Sequence, residues 1–292
     1  MYPAKFDYYR ANSVDEAVAL LQEHERAKLI AGGHSLLPSM KLRLAQPAAL
    51  VDLNFIADLR GICRGDDGET TIGAMTTYAA VTDDAAIATT FGALHDAASN
   101  IGDIQVRNRG TIGGNLAHND PGGDLPAVAL ALDATLHVAG RNGKRRVGAA
   151  EFLVGLFEVA LAPDEVVTSV SFPAPVAGSG SAYAKFENPA SGYAICGIAA
   201  YVEVSDGAIR AARVAVNGAL DHAQRLAAVE AALSGVGCGD EAAIKAAASK
   251  AADGIDEWDF MSDIHADADY RAHLMRVLTA KAVRNACDRA TG

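Results

Sequence analysis

The sequence predicts an α+β protein with two domains, at residues 1–176 and 177–292. Residues 1–55 combine strand-like apolar runs with an amphipathic helix, and the chain up to residue 176 continues to mix short strands and helices. A stretch rich in proline and glycine, at 173–180, marks the junction between the domains. Beyond it, three strand patterns precede three helical patterns, a segregation typical of the α+β class.

The first helix is predicted from its N-terminus. Ser13 and Glu16 are spaced as a capping box, in which two side chains satisfy N–H groups at the start of a helix. The apolar residues that follow at helical spacing, and so share one buried face, are Val14, Ala17, Val18 and Leu21. Apolar runs at 27–31 and 48–53 predict two strands, so residues 1–55 form a small α/β unit.

The sequence pattern of the middle of the chain predicts short strands and helices around a long loop. Residues 91–101 are helix-like, and 102–123 form a dense, glycine-rich loop. Asp124 stands in an N-cap position and Pro126 in the first turn of a further helix. Asn142-Gly143 is a strong hairpin signal. Strand patterns in this region cover residues 70–73, 135–139 and 165–172.

The second domain has a simpler order of elements. Asp206-Gly207 joins the last two of its three predicted strands as a hairpin. These strands cover residues 181–187, 195–205 and 208–217. Helical patterns then cover residues 226–233, 241–252 and 270–290. In the last of them, the apolar residues that share one face are Leu274, Met275, Leu278, Ala282 and Ala286.

Composition narrows the function classes. The formal net charge is −11, the reverse of the basic field of a nucleic-acid-binding protein. The four cysteines form no CxxC pair, which argues against a local zinc or iron–sulfur site. No signal-peptide pattern or apolar run of ~18 residues is present, so we expect a cytoplasmic protein with reduced thiols and no transmembrane segment. The segment 253–269 is rich in Asp and Glu and contains no Lys or Arg. It is either a solvated acidic loop or a docking edge for a basic partner.

Two glycine-rich segments are the strongest candidates for a ligand site. Ala31-Gly32-Gly33-His34-Ser35 follows a predicted strand, and Gly110-Thr111-Ile112-Gly113-Gly114-Asn115 lies in the predicted loop. Paired glycines allow positive φ, and successive N–H groups can form a concave anion site. The two segments are either ordinary turns or a grip on a pyrophosphate from both sides, with Ser35 and Thr111 as hydroxyl donors. Neither matches the GxGxxG dinucleotide fingerprint or the GxxxxGK[ST] phosphate loop.

These segments resemble the two FAD-binding signatures of the medium, or flavoprotein, subunits of molybdenum hydroxylases, the family of aerobic carbon monoxide dehydrogenase and the bacterial xanthine, nicotine and quinoline dehydrogenases. The resemblance covers nearly the whole chain, including Phe6-Asp7-Tyr8, residues 36–53 and Gln105-Val106-Arg107-Asn108-Arg109. It implies the vanillyl-alcohol-oxidase-type (PCMH-type) FAD-binding fold in two subdomains, at about residues 1–55 and 56–176. A C-terminal domain with a three-stranded antiparallel sheet and helices would follow.

The resemblance also implies FAD contacts at the matching positions. Backbone N–H groups would wrap the pyrophosphate at Leu29, Ile30, Ala31, Gly32, Gly33, His34, Ser35 and Leu36. The residues that would close over it are Thr111, Ile112, Gly113, Gly114 and Asn115. Ile101 and Val167 would line the cofactor, and Asp124 would contact it. Lys185 would lie near the flavin ring, where a cation stabilises the reduced form, and Tyr193 would shield one face. The alternatives from the residues alone are a plain helix N-cap for Asp124, which can coexist with an FAD contact, an exposed strand lysine for Lys185 and a half-buried strand aromatic for Tyr193.

Two further features bear on the chemistry. The segment Phe186-Glu187-Asn188-Pro189-Ala190-Ser191-Gly192 replaces a basic run of the family's carbon monoxide dehydrogenases, which favours an organic heterocycle or aldehyde as the substrate of the whole enzyme. His34 and His118 could act as general bases, although a loop histidine more often packs on a cofactor or meets solvent. No set of nucleophile, base and orienting group is present, so no catalytic side chain is predicted.

The resemblance implies electron transfer as the function. Substrate would be oxidised at the molybdenum cofactor of a large subunit, and electrons would pass through [2Fe-2S] clusters in a small subunit to this FAD and on to an external acceptor. Because the chain lacks cysteines for clusters, it would need both partners, in a dimer of heterotrimers. Two alternatives stay open: a stand-alone flavin reductase or oxidase of the same fold, and a non-catalytic scaffold whose FAD site has decayed.

Overall fold

The N-terminal part is a parallel three-stranded sheet with two helices. The computed structural model describes all residues from Met1 to Gly292, and it orders this sheet β1-β3-β2. Its elements are β1 (Asp7–Arg10), α1 (Val14–Glu23), β2 (Ala27–Ile30), α2 (Leu36–Lys41) and β3 (Ala49–Asp52), and a 3-10 helix (Ala57–Leu59) leads out of it. The predicted α/β unit is present. Helix α2 is an addition, because its six residues, with Pro38 among them, are too few for a periodic pattern.

Helix α1 begins with half of the predicted capping box. The Ser13 hydroxyl accepts the Glu16 N–H at 3.1 Å. The Glu16 carboxylate accepts the N–H of Asn12 at 2.8 Å, one residue before the position that a capping box uses. Ala17 and Val18 are buried as predicted. The start of this helix is therefore fixed by local side-chain chemistry, and its orientation by one apolar face.

The middle part is a five-stranded antiparallel sheet surrounded by short helices. The sheet order is β4-β5-β10-β6-β7, and β8 and β9 form a separate hairpin. The strands are β4 (Ile62–Arg64), β5 (Thr70–Gly73), β6 (Thr135–Gly140), β7 (Gly143–Gly148), β8 (Leu153–Gly155), β9 (Glu158–Val159) and β10 (Val166–Phe172). The helices are α3 (Tyr78–Thr82), α4 (Ala85–Thr90), α5 (Gly92–Ser99), α6 (Ile104–Arg107), α7 (Ile112–His118), α8 (Leu125–Ala131) and α9 (Ala149–Phe152).

The long loop predicted over residues 102–123 is wrong, because it contains α6 and α7. Each of these helices has a side-chain cap. The Asp103 carboxylate accepts the N–H of Val106 at 2.8 Å, and the Thr111 hydroxyl accepts the N–H of Gly114 at 3.2 Å. Glycine is a poor helix former, so the glycine pair in the first turn of α7 concealed this helix in the sequence pattern.

The C-terminal part is an antiparallel sheet covered by helices. The order β11-β12-β13-β14 gives four strands, one more than predicted, since β14 has only two residues and shows no pattern. The elements are β11 (Ser179–Glu187), β12 (Ala194–Ser205), β13 (Ala208–Asn217), β14 (Gln224–Arg225), α10 (Ala227–Leu233), α11 (Glu241–Ala248), two 3-10 helices (Ser249–Ala252 and Glu257–Asp259) and α12 (Ala268–Thr291). The predicted buried face of α12 is confirmed for Leu274, Met275, Leu278, Ala282 and Ala286.

The middle and C-terminal parts are joined by a shared core and by polar contacts. Tyr183 and Tyr201 of the C-terminal sheet belong to the same cluster of 35 buried residues as the side chains of the middle sheet. Arg289, near the end of α12, donates two hydrogen bonds to the Asp96 carboxylate on α5, at 2.7 and 2.9 Å. These contacts fix β11 against α5 and so orient the side chains between them. None of the helices combines the length and the apolar character that a bilayer crossing requires.

Candidate functional site

The first glycine segment forms the turn between β2 and α2. Gly33 has a φ of +75°, in the left-handed region that glycine adopts without strain. None of the backbone N–H groups of residues 31–36 donates a hydrogen bond to another group of the chain. A run of free N–H donors along a turned backbone is a binding site for an anion such as a phosphate. This segment therefore has the chemistry expected of a pyrophosphate cradle.

The second glycine segment has a different role. It is the first turn of α7, and most of its N–H groups are already used: Ile112 donates to the Thr76 carbonyl at 3.0 Å and Gly113 to the Ala74 carbonyl at 2.9 Å. A Cβ atom on Gly113 would lie 2.4 Å from the Ala74 side chain, so the glycine permits close packing of helix and strand. The hypothesis that both segments present free N–H groups is wrong for this one.

The two segments contact each other directly. A Cβ atom on Gly32 would lie 2.3 Å from the carbonyl oxygen of Arg109 and 2.9 Å from the Cα of Gly110. A Cβ atom on Gly114 would lie 3.5 Å from the Ala31 side chain. Segments about eighty residues apart in the sequence thus form opposite walls of one site, and only glycine at position 32 leaves room for this approach.

Asn115 carries an unsatisfied acceptor at this site. Its Nδ2 donates to the Tyr78 hydroxyl at 3.0 Å, but its Oδ1 is buried and has no hydrogen-bond partner in the chain. Leaving a buried polar atom unpaired costs roughly 1–3 kcal/mol, so such atoms mark places where a ligand completes the bonding. Sequence reasoning found Asn115 but missed Tyr78, because an aromatic residue on a helix looks like an ordinary core residue.

Asp124 and Lys185 form a buried ion pair. Lys185 Nζ lies 3.2 Å from Asp124 Oδ1, and each side chain is 5% exposed. The Tyr183 hydroxyl also donates to Asp124 Oδ1, at 2.6 Å. Burial raises the pKa of Asp124 to about 6, although Lys185 and Tyr183 both act to lower it. Asp124 occupies the predicted N-cap position of α8, although its side chain makes no cap bond. The alternative of Lys185 as an exposed strand lysine is wrong, because its side chain is buried.

Lys185 uses all its hydrogen-bond donors inside the chain. Besides Asp124, its Nζ donates to the carbonyl oxygens of Asn100 at 2.7 Å and Gly192 at 2.8 Å. An ammonium group has three N–H donors, and these three partners account for them. Lys185 therefore ties the end of α5, the start of α8 and the β11–β12 connection to one point.

Tyr193 lies beside the first glycine segment. It is 43% exposed on the β11–β12 connection, and a Cβ atom on Gly122 would lie 3.1 Å from its ring. Partial burial raises the pKa of Tyr193, and a hydrogen bond with the Ser35 side chain acts in the opposite direction. Tyr193 thus reaches the predicted cradle from the C-terminal half, as a half-exposed aromatic residue. It lies in the connection, outside β11 and β12.

The remaining predicted residues lie further from the glycine contacts. Ile101 and Val167 are buried in the core of the middle part, and none of the contacts that join the two glycine segments involves them. Leu29 and Ile30 end β2, and Leu36 begins α2. Their role toward a cofactor stays a prediction.

The histidines near the glycine segments show no catalytic arrangement. His34 is exposed, and its Nδ1 lies 3.0 Å from the Gly32 carbonyl. His118 lies 3.8 Å from the Asp120 carboxylate and packs on the Phe157 ring. Burial lowers the pKa of His118, and Asp120 opposes this shift. No group of three or more His, Cys, Asp or Glu side chains is arranged to hold a metal ion.

The residues present suit FAD. A dinucleotide pyrophosphate needs several N–H donors at short range, and residues 31–36 supply free ones at a turn. A cofactor in contact with backbone needs positions without side chains, and Gly32 and Gly114 are such positions. A hydroxyl or N–H group of the cofactor would satisfy the buried Oδ1 of Asn115. Free donors, an orphan acceptor and a tight glycine contact therefore occur at one place.

Comparison with known proteins agrees with this geometry. Residues 4–175 match the family model of the FAD binding domain in molybdopterin dehydrogenase, and residues 181–286 match that of the CO dehydrogenase flavoprotein C-terminal domain. The chain is 39% identical to the carbon monoxide dehydrogenase medium chain of Hydrogenophaga pseudoflava, over 98% of each chain. It is 36% identical to the nicotine 6-hydroxylase medium subunit of Paenarthrobacter nicotinovorans, over 94% of this chain and 95% of that one. The crystal structure of quinoline 2-oxidoreductase from Pseudomonas putida 86 superposes with a TM-score of 0.92, 30% identity and full coverage of both chains.

These similarities confirm the fold that the glycine signatures implied. The chain has the PCMH-type FAD-binding fold followed by a C-terminal sheet-and-helix region, with four strands in place of the predicted three. The flavoprotein character expected from the sequence is confirmed as well, since the family model over residues 4–175 is that of an FAD-binding domain. The chain therefore belongs to the FAD-binding medium subunits of the molybdenum hydroxylase family.

Proposed function

We propose that this chain is the FAD-binding electron-transfer subunit of a heterotrimeric molybdenum hydroxylase, which receives electrons from iron–sulfur clusters and passes them to an external acceptor. The observation that carries the proposal is the run of free N–H groups at residues 31–36, in contact with the segment that holds the orphan Oδ1 of Asn115. The relatives named as medium chains or medium subunits of dehydrogenases and hydroxylases support the same assignment.

In this proposal the chain's own residues bind and orient the cofactor. FAD, when bound, supplies the redox chemistry. The N–H groups of residues 31–36 would hold its pyrophosphate, and Gly32 and Gly114 would let the backbone approach it. Asn115 would accept a hydrogen bond through Oδ1, and Tyr193 would shield one side of the cofactor from water. Ile101, Val167 and Asp124 remain proposed contacts.

Lys185 has a positioning role in this proposal. Because its three donors are used by Asp124, Asn100 and Gly192, its charge is largely neutralised inside the chain. The resemblance implied that the Lys185 ammonium group lies near the flavin ring and stabilises its reduced form directly. The hydrogen bonds support an indirect role, in which Lys185 holds Asp124 and the β11–β12 connection in place around the cofactor.

The finer features of the assembly are part of the same proposal. A molybdenum-cofactor large subunit and an iron–sulfur small subunit would bind this chain in a dimer of heterotrimers.

We place the domain boundary at residues 176/177, which agrees with the family matches at 4–175 and 181–286. The substrate of the whole enzyme would be an organic heterocycle or aldehyde, on the evidence of Phe186-Glu187-Asn188-Pro189-Ala190-Ser191-Gly192. Four free cysteines favour a reducing compartment such as the cytoplasm.

One experiment separates this function from its two alternatives. The purified full-length chain is titrated with FAD, its visible spectrum is recorded, and it is then mixed anaerobically with the reduced iron–sulfur subunit. Flavin bands that appear on titration and bleach with the reduced partner support the proposal. Direct turnover of small organic substrates by the chain alone would favour a stand-alone reductase or oxidase. A chain that stays colourless, even with its partners present, would favour a scaffold.

A further inference from the structure

The β8–β9 hairpin presents apolar side chains to solvent at its tip. Leu156 is 53% exposed and Phe157 is 54% exposed. Phe157 has a φ of +53°, which is a strained conformation for a bulky residue. Backbone strain that persists at an exposed aromatic residue is typical of a functional surface.

A buried asparagine holds this hairpin rigidly. Asn119 follows α7 with a φ of +46° and is fully buried. Its Nδ2 donates to the carbonyl oxygens of Gly155 and Glu158, both at 2.8 Å, and so fixes both sides of the turn. The His118 ring packs 5.1 Å from the Phe157 ring. The apolar tip is therefore a fixed feature that is anchored to the helix of the second glycine segment.

A cavity of about 260 Å³ opens beside the tip. Its walls include Leu156, Phe157, Tyr193, Met261, Asp263 and His265. Tyr193 lines this cavity and is also one of the proposed FAD contacts. The cavity therefore shares one residue with the proposed FAD site.

The acidic segment 253–269 contributes Met261, Asp263 and His265 to the wall of the cavity. It contains seven Asp and Glu residues and no Lys or Arg, and it exposes two large apolar side chains. Trp258 is 89% exposed and Ile264 is 95% exposed. Exposed apolar side chains grouped beside a concave surface are characteristic of protein interfaces, where aromatic residues contribute most of the affinity. Strong negative charge around them selects a basic partner.

We propose that this surface, formed by the hairpin tip with Leu156 and Phe157, the adjoining cavity, and the acidic segment 253–269 that exposes Trp258 and Ile264, docks a basic face of the iron–sulfur subunit. An apolar side chain of that subunit would enter the cavity. In this complex the acidic segment contacts the basic face of the partner, and the hairpin supplies apolar contacts beside it. The inference rests on the proposed function, because a subunit that delivers electrons must come close to the cofactor and Tyr193 links this surface to the cofactor site.

Two variants of the full-length chain test the surface. Phe157→Gly removes the aromatic ring and relieves the positive φ, so the fold is retained. Asp256→Lys/Asp259→Lys reverses two exposed charges of the acidic segment. The affinity for the iron–sulfur subunit of the same enzyme is measured by calorimetry at ~0.05 M and ~0.5 M salt. We expect each variant to bind about tenfold more weakly at low salt, and the charge-reversal variant to show a flatter salt dependence.

Matched substitutions elsewhere serve as controls. Val176→Ser removes a half-exposed apolar side chain at the domain junction, and Asp66→Lys reverses an exposed charge in the β4–β5 turn. Both should bind as the wild type does. Unchanged affinity in Phe157→Gly and in the charge-reversal variant overturns the proposal. A loss confined to the molybdenum subunit, or to self-association of this chain, overturns it as well.

The FAD spectrum of each protein distinguishes a failure of the proposed function from a failure of the docking surface. A wild-type chain that binds the iron–sulfur subunit through this surface but takes up no FAD would remove the proposed function and leave the docking surface supported. A chain that binds FAD normally, and whose Phe157→Gly variant binds the subunit as the wild type does, would remove only the docking surface.

Discussion

The Nζ atom of Lys185 lies 3.2 Å from Asp124 Oδ1, inside a region where each side chain is only 5% exposed. The two residues come from different halves of the molecule, Lys185 from β11 and Asp124 from the start of α8. Removing charges from water is costly, and a buried pair offsets that cost only while both partners are present. This pair therefore links the stability of the domain interface to the geometry of the proposed cofactor site.

Lys185→Met should destabilise the chain in a pH-dependent way. The substitution leaves the Asp124 carboxylate buried with the Tyr183 hydroxyl as its remaining side-chain donor. At pH 8 we expect a loss of about 3–5 kcal/mol in the free energy of unfolding, measured by urea denaturation. At pH 5 the loss should be smaller, because a protonated Asp124 carries no charge. Lys144→Met, at an exposed strand position, is the control and should change stability little. Equal losses at both pH values would show that the ion pair is not the cause.

Asp124 should titrate near pH 6 in the folded chain. Burial is the main cause of the raised pKa, and Lys185 and Tyr183 limit the shift. An unfolded aspartate has a pKa of about 3.9, so the folded state binds a proton more tightly than the unfolded state. This carboxyl group therefore favours the folded state most below pH ~4, and its contribution falls by about 3 kcal/mol as the pH rises to ~6. Carbon-13 NMR of aspartate-labelled protein, assigned with Asp124→Asn, measures the pKa. A value below 4 would contradict the burial argument.

Local sequence signals predicted the elements that local chemistry determines. The Ser13 cap, the Asp206-Gly207 hairpin and the buried face of α12 depend on residues within a few positions of one another. Each has a short-range physical cause that leaves a pattern in the sequence. The first glycine segment was found for the same reason, since its turn requires a positive φ at Gly33.

The contacts that organise the candidate site leave no such pattern. Tyr183 and Lys185 meet Asp124 across 59 and 61 residues of sequence, and nothing near Asp124 distinguishes a buried ion pair from a helix cap. The unpaired Oδ1 of Asn115 is visible only when its surroundings are known. Helix α7 was concealed because its glycines serve packing against Ala74 and oppose helix propensity. Tertiary contacts outweighed local preference at each of these positions.

Gly32→Ala should abolish the close contact between the two glycine segments. Its Cβ atom would lie 2.3 Å from the Arg109 carbonyl oxygen, so the backbone of one segment must move. Because the free N–H groups of residues 31–36 belong to that backbone, we expect FAD affinity to fall by about a hundredfold or more, roughly 3 kcal/mol, in a fluorescence titration. Gly148→Ala is the control, because no atom lies within 4 Å of its Cβ position. Equal FAD affinity in both variants would mean that the cofactor does not bind between the segments.

Asn115→Leu should weaken FAD binding while changing the stability of the free chain little. The substitution removes the bond from Nδ2 to the Tyr78 hydroxyl, but it also removes a buried oxygen that has no partner. These effects oppose each other, so we expect the free energy of unfolding without FAD to change by about 1 kcal/mol or less.

The loss of an acceptor that only the cofactor satisfies should lower FAD affinity by about tenfold or more. Tyr78→Phe separates the two atoms of the amide, because it removes the partner of Nδ2 and keeps Oδ1 in place. We expect this control to bind FAD nearly as the wild type does, in the same fluorescence titration. If Tyr78→Phe loses as much affinity as Asn115→Leu, the orientation of the side chain matters and Oδ1 is not the contact atom.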